Sequence, residues 1–137
     1  MTMPFKHLKG IEYLRYLHDL GLDILKVYKE KYAEFLTNYG DLLTVSEPGT
    51  FELINGDFFK EDWSTATFVL INSTCFPSEM MEQIAEKMDE VQLGCIVVTF
   101  TKKLSKLNSQ KWRILNGFKR NMSWGIATIF LHQKIAK

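Results

Sequence analysis

The chain has no excess of either charge. Seventeen Lys and Arg stand against 16 Asp and Glu, a formal net charge of +1 over 137 residues. Polyanion binders that work by bulk charge carry a basic excess, so that class is excluded. Cysteine is scarce: Cys75 and Cys95 are the only two. They are too few for a disulfide scaffold or a cysteine-based zinc site. Both sit in apolar company, which predicts two buried free thiols and a reducing, intracellular compartment. No apolar run approaches the roughly 18 residues that span a bilayer. The N-terminal Met1-Thr2-Met3-Pro4-Phe5-Lys6 lacks the basic-then-apolar build of a signal peptide. The eight glycines never lie two residues apart, so there is no G-x-G-x-x-G, and no G-x-x-x-x-G-K-[ST] occurs. His7, His18 and His132 share no ligand spacing and read as structural or exposed. No Ser-His-Asp or Cys-His arrangement appears.

Hydrophobic residues make up 46% of the chain and charged residues 24%, which gives core material for a folded protein. The length suits one domain, residues 1–137. The elements alternate. Residues 7–12 read as a strand. Leu14, Leu17, Gly21, Ile24, Tyr28 and Phe35 then recur at helical spacing and predict a long amphipathic helix ended near Asn38, Tyr39 and Gly40. A polar loop, 41–50, leads to a strand over 51–55. The run Phe68-Val69-Leu70-Ile71-Asn72 is apolar enough for a central parallel strand covered on both faces. Pro77 opens a second helix with the buried stripe Met81, Ile84, Ala85, Met88 and Val91, closed by Gly94. Cys95–Phe100 is another apolar strand. Segments 112–115 and 126–132 are two more, too close together for a helical crossover, so they should pair antiparallel. The predicted fold class is α/β, a Rossmann-like sheet that is mostly parallel with an antiparallel C-terminal strand pair.

In such folds ligands sit beyond the carboxyl ends of the strands. The first strand ends in Glu12, whose carboxylate can accept from the hydroxyls of a ribose or simply suit a helix N-terminus. The second ends in Gly56-Asp57-Phe58. Asp57 can accept an adenine amino proton with Phe58 against the ring, or bond its own backbone as a turn residue. The third ends in Asn72-Ser73, where the amide can receive an amine or fix the neighbouring backbone. The fourth ends in Thr101-Lys102. Lys102, Lys103, Lys106 and Lys111 form a basic cluster that reads as a solvated loop.

In order and spacing, Gly10-Ile11-Glu12, Asn55-Gly56-Asp57-Phe58, Leu70-Ile71-Asn72-Ser73-Thr74-Cys75-Phe76 and Met122-Ser123-Trp124-Gly125 together resemble the non-SET histone lysine methyltransferases, named for disruption of telomeric silencing. The resemblance runs from about residue 9 to residue 134. It implies S-adenosylmethionine as cofactor and a protein lysine as acceptor. It implies that Glu12 holds the ribose, that Asp57 and Phe58 recognise adenine, that Asn72 and Phe76 flank the methionine end and the lysine channel, and that Trp124 lines that channel. Neither a membrane nor direct nucleic-acid binding is expected.

The family places a strand and a glycine-rich loop before the ribose-binding acid, and the 11 residues ahead of Glu12 leave no room for them. The expectation is therefore an N-terminally truncated methyltransferase domain in which two internal strands lack a neighbour. They would pair directly or receive a strand from a protein partner. Two other readings stand beside it: a catalytically inactive methyltransferase-like subunit that binds a partner through its open sheet edge, and a nucleotide-binding α/β domain of another sort.

Overall fold

The computed structural model describes residues 5–39, 49–104 and 107–137, and only the backbone of Ala33, Phe35, Leu36 and Tyr39. The expected helix end at Gly40, the loop 41–48, Lys106 and the side chain of Phe35 lie outside the described residues. The chain divides into two compact units, Met1–Glu61 and Asp62–Lys137.

The first unit is a βαβ motif. Strand β1 (His7–Glu12) and strand β2 (Thr50–Asn55) are parallel, with His7 opposite Thr50 and Glu12 opposite Asn55. Helix α1 (Arg15–Tyr39) connects them. Leu53 is the wedge between helix and sheet. A Cβ on Gly10 would lie 2.6 Å from one Leu53 methyl, and a Cβ on Gly21 3.3 Å from the other. The absence of those two side chains gives Leu53 its slot. Further along, Tyr28 meets Phe51 edge-on and stacks on Tyr32, with ring centroids 5.5 Å apart in both pairs.

The apolar stripe predicted for α1 is largely exposed. Leu14 is 57% exposed and Ile24 61%, and Leu17 and Tyr28 are exposed as well. The reason is one of size. Twenty-five helical residues extend about 37 Å, whereas a six-residue strand extends about 20 Å. A two-stranded ladder cannot cover that length and width.

The second unit has the strands β3 (Phe68–Ile71), β4 (Ile96–Phe100), β5 (Trp112–Met122) and β6 (Gly125–Lys134) in the order β3-β4-β6-β5. β3 and β4 are parallel; β4–β6 and β6–β5 are antiparallel. Helix α2 (Ser78–Lys87) crosses between β3 and β4. Its predicted stripe is buried: Met81, Ile84, Ala85, Met88 and Val91 join Val97, Val98, Trp63 and Trp112 in the core. Each large apolar side chain so buried contributes about 1.5–3 kcal/mol.

Four local expectations are corrected. Gly94 does not end α2, which stops at Lys87 and continues as a 3₁₀ turn over Met88–Glu90. Gly94 instead takes φ +84° in the turn before β4, and its N–H donates to Lys134 O. The last two strands are longer than the apolar runs that signalled them and meet in a tight hairpin, Met122 opposite Gly125. The residues that carry β5 past Leu115 are mostly exposed, so hydrophobicity did not mark them. β3 was expected to be covered on both faces, yet Leu70 is 62% exposed; its single ladder neighbour among the described residues, β4, agrees with the expectation of an internal strand that lacks one. Of the two thiols only Cys95 is buried, and burial pushes it up to about 11; Cys75 is free and exposed.

Two buried polar side chains hold the core of this unit. His132 is fully buried, and its Nε2 accepts from the Leu104 N–H at 3.3 Å. That bond requires an unprotonated Nε2, which leaves Nδ1–H to donate to Val97 O. Burial holds the imidazole below its ordinary 6.5. Lys134, 5% exposed, donates to Asp89 O at 2.6 Å and Val91 O at 2.9 Å, satisfying carbonyls in and just beyond the 3₁₀ turn Met88–Glu90.

Because the folded pKa of His132 is depressed, the unfolded chain takes up the extra proton. Stability contributed by the neutral ring is therefore present above about pH 6.5 and is lost as the pH falls through that value toward the folded pKa. Urea unfolding should give a lower midpoint at about pH 5.5 than at about pH 7.5. In His132→Gln that difference should shrink while the midpoint drops at both values. Lys134→Met should cost about 1–3 kcal/mol in the same measurement, since it leaves two carbonyls without a donor.

Candidate functional site

The carboxyl ends of the parallel strands carry the candidate residues. In the first unit Glu12 closes β1 and faces Asn55 at the end of β2. Asn55 Nδ2 donates to Glu12 O at 3.0 Å and Tyr13 O at 3.1 Å, and Gly56 N–H donates to Glu12 O at 3.0 Å. These bonds continue the ladder past the last strand residues and fix both chain exits. The half-buried Glu12 carboxylate accepts from Leu14 N–H through Oε1 at 2.8 Å. This satisfies one of the donors that the start of α1 leaves open. Glu12 also lines a shallow cavity of about 200 Å³ bounded by Gly10, Leu17, His18 and Gly21.

Asp57 follows one residue beyond Gly56. Its Oδ1 accepts from Phe59 N–H at 3.0 Å and caps the 3₁₀ turn Phe58–Lys60. Its Oδ2 lies 3.9 Å from Lys60 Nζ, at the outer limit of an ion pair. The rings of Phe58 and Phe59 are tilted together with centroids 4.3 Å apart. Glu12 and Asp57 thus occupy the same end of the β1–β2 ladder, each with one carboxylate oxygen bound to backbone.

In the second unit the chain leaves β3 through Asn72, where Ser73 N–H turns back to Ile71 O at 2.9 Å. Asn72 is exposed, and its Oδ1 accepts from the Thr74 hydroxyl at 3.2 Å. Phe76 N–H closes the loop onto Ser73 O at 3.1 Å. Asn72 and Phe76 are therefore brought to one five-residue loop. Trp124 stands at the tip of the β5–β6 hairpin, 57% exposed. Since Ile129 of β6 is opposite Phe100 at the end of β4, the tip projects from the same end of the sheet. The five residue steps from Ile129 to Trp124 place it about 17 Å further out along the strand direction.

The Asn72–Phe76 loop is held by residues whose role the sequence did not disclose. Ser73 is fully buried; its hydroxyl donates to Phe100 O at 2.7 Å and accepts from Phe100 N–H at 3.1 Å. Lys102 Nζ donates to Phe76 O at 2.6 Å. Lys102 is thus half-buried and bonded where a solvated lysine was expected, while Lys111 lies 3.6 Å from Asp89. Thr101, just before Lys102, has φ +66°, rare for a β-branched residue. No residue pattern signals that conformation in advance. Among the described residues no cluster of His, Cys, Asp and Glu could hold a metal ion, and no helix is long and apolar enough to cross a membrane.

No family model matches the chain, and no curated protein matches it. Solved structures do. An RNA methyltransferase from Salinibacter ruber, in complex with S-adenosyl-L-homocysteine, superimposes with a TM-score of 0.58 at 16% identity over 94% of this chain. A SAM-dependent methyltransferase from Methanosarcina mazei gives 0.58 at 9% identity over 96%. The chain spans 65% of the length of the first and 83% of the second. At these identities the likeness concerns the fold, and the fold of this chain is the α/β fold of S-adenosylmethionine-dependent methyltransferases.

Proposed function

We propose that the chain is an S-adenosylmethionine-binding methyltransferase domain whose acceptor is an amine, most specifically a protein lysine of the kind used by the non-SET histone methyltransferases it resembles. The observation that carries this reading is the pair of acids at the carboxyl ends of adjacent parallel strands, Glu12 on β1 and Asp57 just past β2, in a chain with a methyltransferase fold. Glu12 suits the ribose: Oε1 is fixed by Leu14 N–H, and no bond is recorded to Oε2 among the described residues. Asp57 suits the adenine amino group, with Phe58 against the ring. Asn72 and Phe76 flank the methionine end and the acceptor, and Trp124 lines the acceptor's approach.

S-adenosylmethionine supplies a sulfonium methyl group, an electrophile that needs no acid to activate it. The work left to the protein is to align a neutral amine and to exclude water, and alignment alone can supply much of the acceleration. Asn72 offers an amide oxygen to orient the amine. The aromatic side chains of Phe76 and Trp124 offer walls that keep water out. The net charge of +1 favours a protein acceptor over an RNA, whose phosphates reward a basic surface. An intracellular site of action follows from the reading of Cys75 and Cys95 as free thiols.

The edge of β3 favours a second reading, a methyltransferase-like subunit that takes a strand from a protein partner. Such an apolar edge is a template for pairing unless something blocks it. No Pro or charged residue interrupts Phe68–Ile71.

Calorimetric titration of the purified 137-residue chain with S-adenosylmethionine and S-adenosylhomocysteine should show micromolar binding. Asp57→Ala should weaken it about tenfold or more, equivalent to about 1.4 kcal/mol. Asp57→Asn keeps a capping side chain, so equal losses in both variants would place the effect in recognition and not in the turn. Unchanged affinity would sink the adenine assignment. For the second reading, size-exclusion chromatography with light scattering should reveal self-association or co-purifying protein; a clean, stable monomer would count against strand donation between chains.

A further inference from the structure

The loop Asn72–Phe76 is anchored far more heavily than a surface connection of five residues requires. Three tethers reach it, all from the end of β4. The buried Ser73 hydroxyl exchanges two bonds with the main chain of Phe100. The Thr101 hydroxyl lies 3.3 Å from that of Thr74. Lys102 Nζ donates to Phe76 O at 2.6 Å. Lys102 is delivered there by a tight turn: its own N–H reaches back to Phe100 O at 2.7 Å, and Thr99 Oγ1 donates to Lys102 O at 2.8 Å. The cost of the turn falls on Thr101, which sits at φ +66°, while its N–H is held by Thr128 O at 2.7 Å. A β-branched residue stays in that region only when its surroundings over-determine it, and such strain concentrates at ligand clamps and active sites. Two tethers hold the loop through its Ser73 and Thr74 side chains, and Lys102 alone grips its main chain, at Phe76 O; Asn72 and Cys75 are left exposed.

We propose that Lys102, presented by the strained turn at Thr101, is a positioning residue that clamps the Asn72–Phe76 loop in the geometry in which Asn72 and Phe76 serve the cofactor and acceptor. This rests on the function proposed above. Lys102 acts through the loop and touches neither reactant. Its ammonium fixes the Phe76 carbonyl, and with it the direction in which the Phe76 ring and the Asn72 amide are offered. Arginine can make the same donation, and methionine, similar in length, cannot.

The test uses the full 137-residue chain with Lys102→Met and Lys102→Arg. Amide hydrogen exchange is read at Ser73 and Phe76 in the loop and at Val97 and Val98 in β4, and S-adenosylhomocysteine affinity is read by calorimetry. The expected result is exchange about tenfold faster at Phe76 in Lys102→Met with β4 unchanged, cofactor affinity lowered about tenfold, and both restored in Lys102→Arg. Unchanged exchange at Phe76 overturns the clamp. Faster exchange spread equally through β4 also overturns it, because Lys102 would then be a general stability residue. Local loosening with wild-type affinity overturns the positioning role. Local loosening in a chain that binds no cofactor even as wild type supports the clamp and refutes the function, so the two failures are told apart.

Discussion

A single hydroxyl sets the geometry at the business end of the second unit. Parallel strands β3 and β4 stop hydrogen-bonding to each other at Ile71 and Thr99. Two residues beyond Ile71, the Ser73 side chain substitutes for the missing ladder by bonding both polar groups of Phe100. Ser73 is fully buried, so leaving that hydroxyl without partners would cost about 1–3 kcal/mol. Its satisfaction and the alignment of the two strand ends are the same event. Asn72, next to Ser73, takes its place from that contact, and Phe76 is held in addition by Lys102.

The first unit reaches a similar end by different means. There the extension past the ladder is made by Asn55, whose amide spans Glu12 O and Tyr13 O. In each unit the carboxyl end of a parallel pair is finished by a small polar side chain bonded to the neighbouring main chain. Such an end gathers loops at the head of a parallel sheet, which is where α/β folds bind ligands. Glu12 and Asp57 in the first unit and Asn72 in the second each lie at that end of their own parallel ladder.

How much of this could be read from residues alone depended on burial. The stripe of α2 was legible because Met81, Ile84, Met88 and Val91 all turn inward, and periodicity reports that directly. The same logic failed on α1, where helical spacing was present but the sheet beneath is too small to cover Leu14 and Ile24. Strands β1, β2 and β4 fell within a residue of their predicted bounds, since they alternate or are apolar throughout. The outer half of β5 did not, because it is held by cross-strand hydrogen bonds to β6 that leave no hydrophobic signature. Strand ends located the candidate residues, yet Thr101 and Lys102 read as an ordinary polar exit. A positive φ on threonine is imposed by tertiary contacts, and a lysine's partner is a carbonyl 26 residues away in the chain.

The candidate acids illustrate why two readings of one residue need not compete. Glu12 and Asp57 each look like a local capping group, and each is one: Oε1 of Glu12 holds Leu14 N–H, and Oδ1 of Asp57 holds Phe59 N–H. A carboxylate has two oxygens and about four lone-pair directions. Fixing one oxygen to the backbone removes rotamer freedom before any ligand arrives, and it aims the other oxygen. Side chains ordered in advance lose less entropy on binding, so a cap of this kind strengthens recognition instead of obstructing it. Asn72 differs: its one acceptor, Oδ1, already takes the Thr74 hydroxyl, so in the proposed role that rotatable donor would have to yield the position to the amine. In the proposed role the local bonds are the preorganisation of the site, and the fold's need to finish its strand ends is what supplies them.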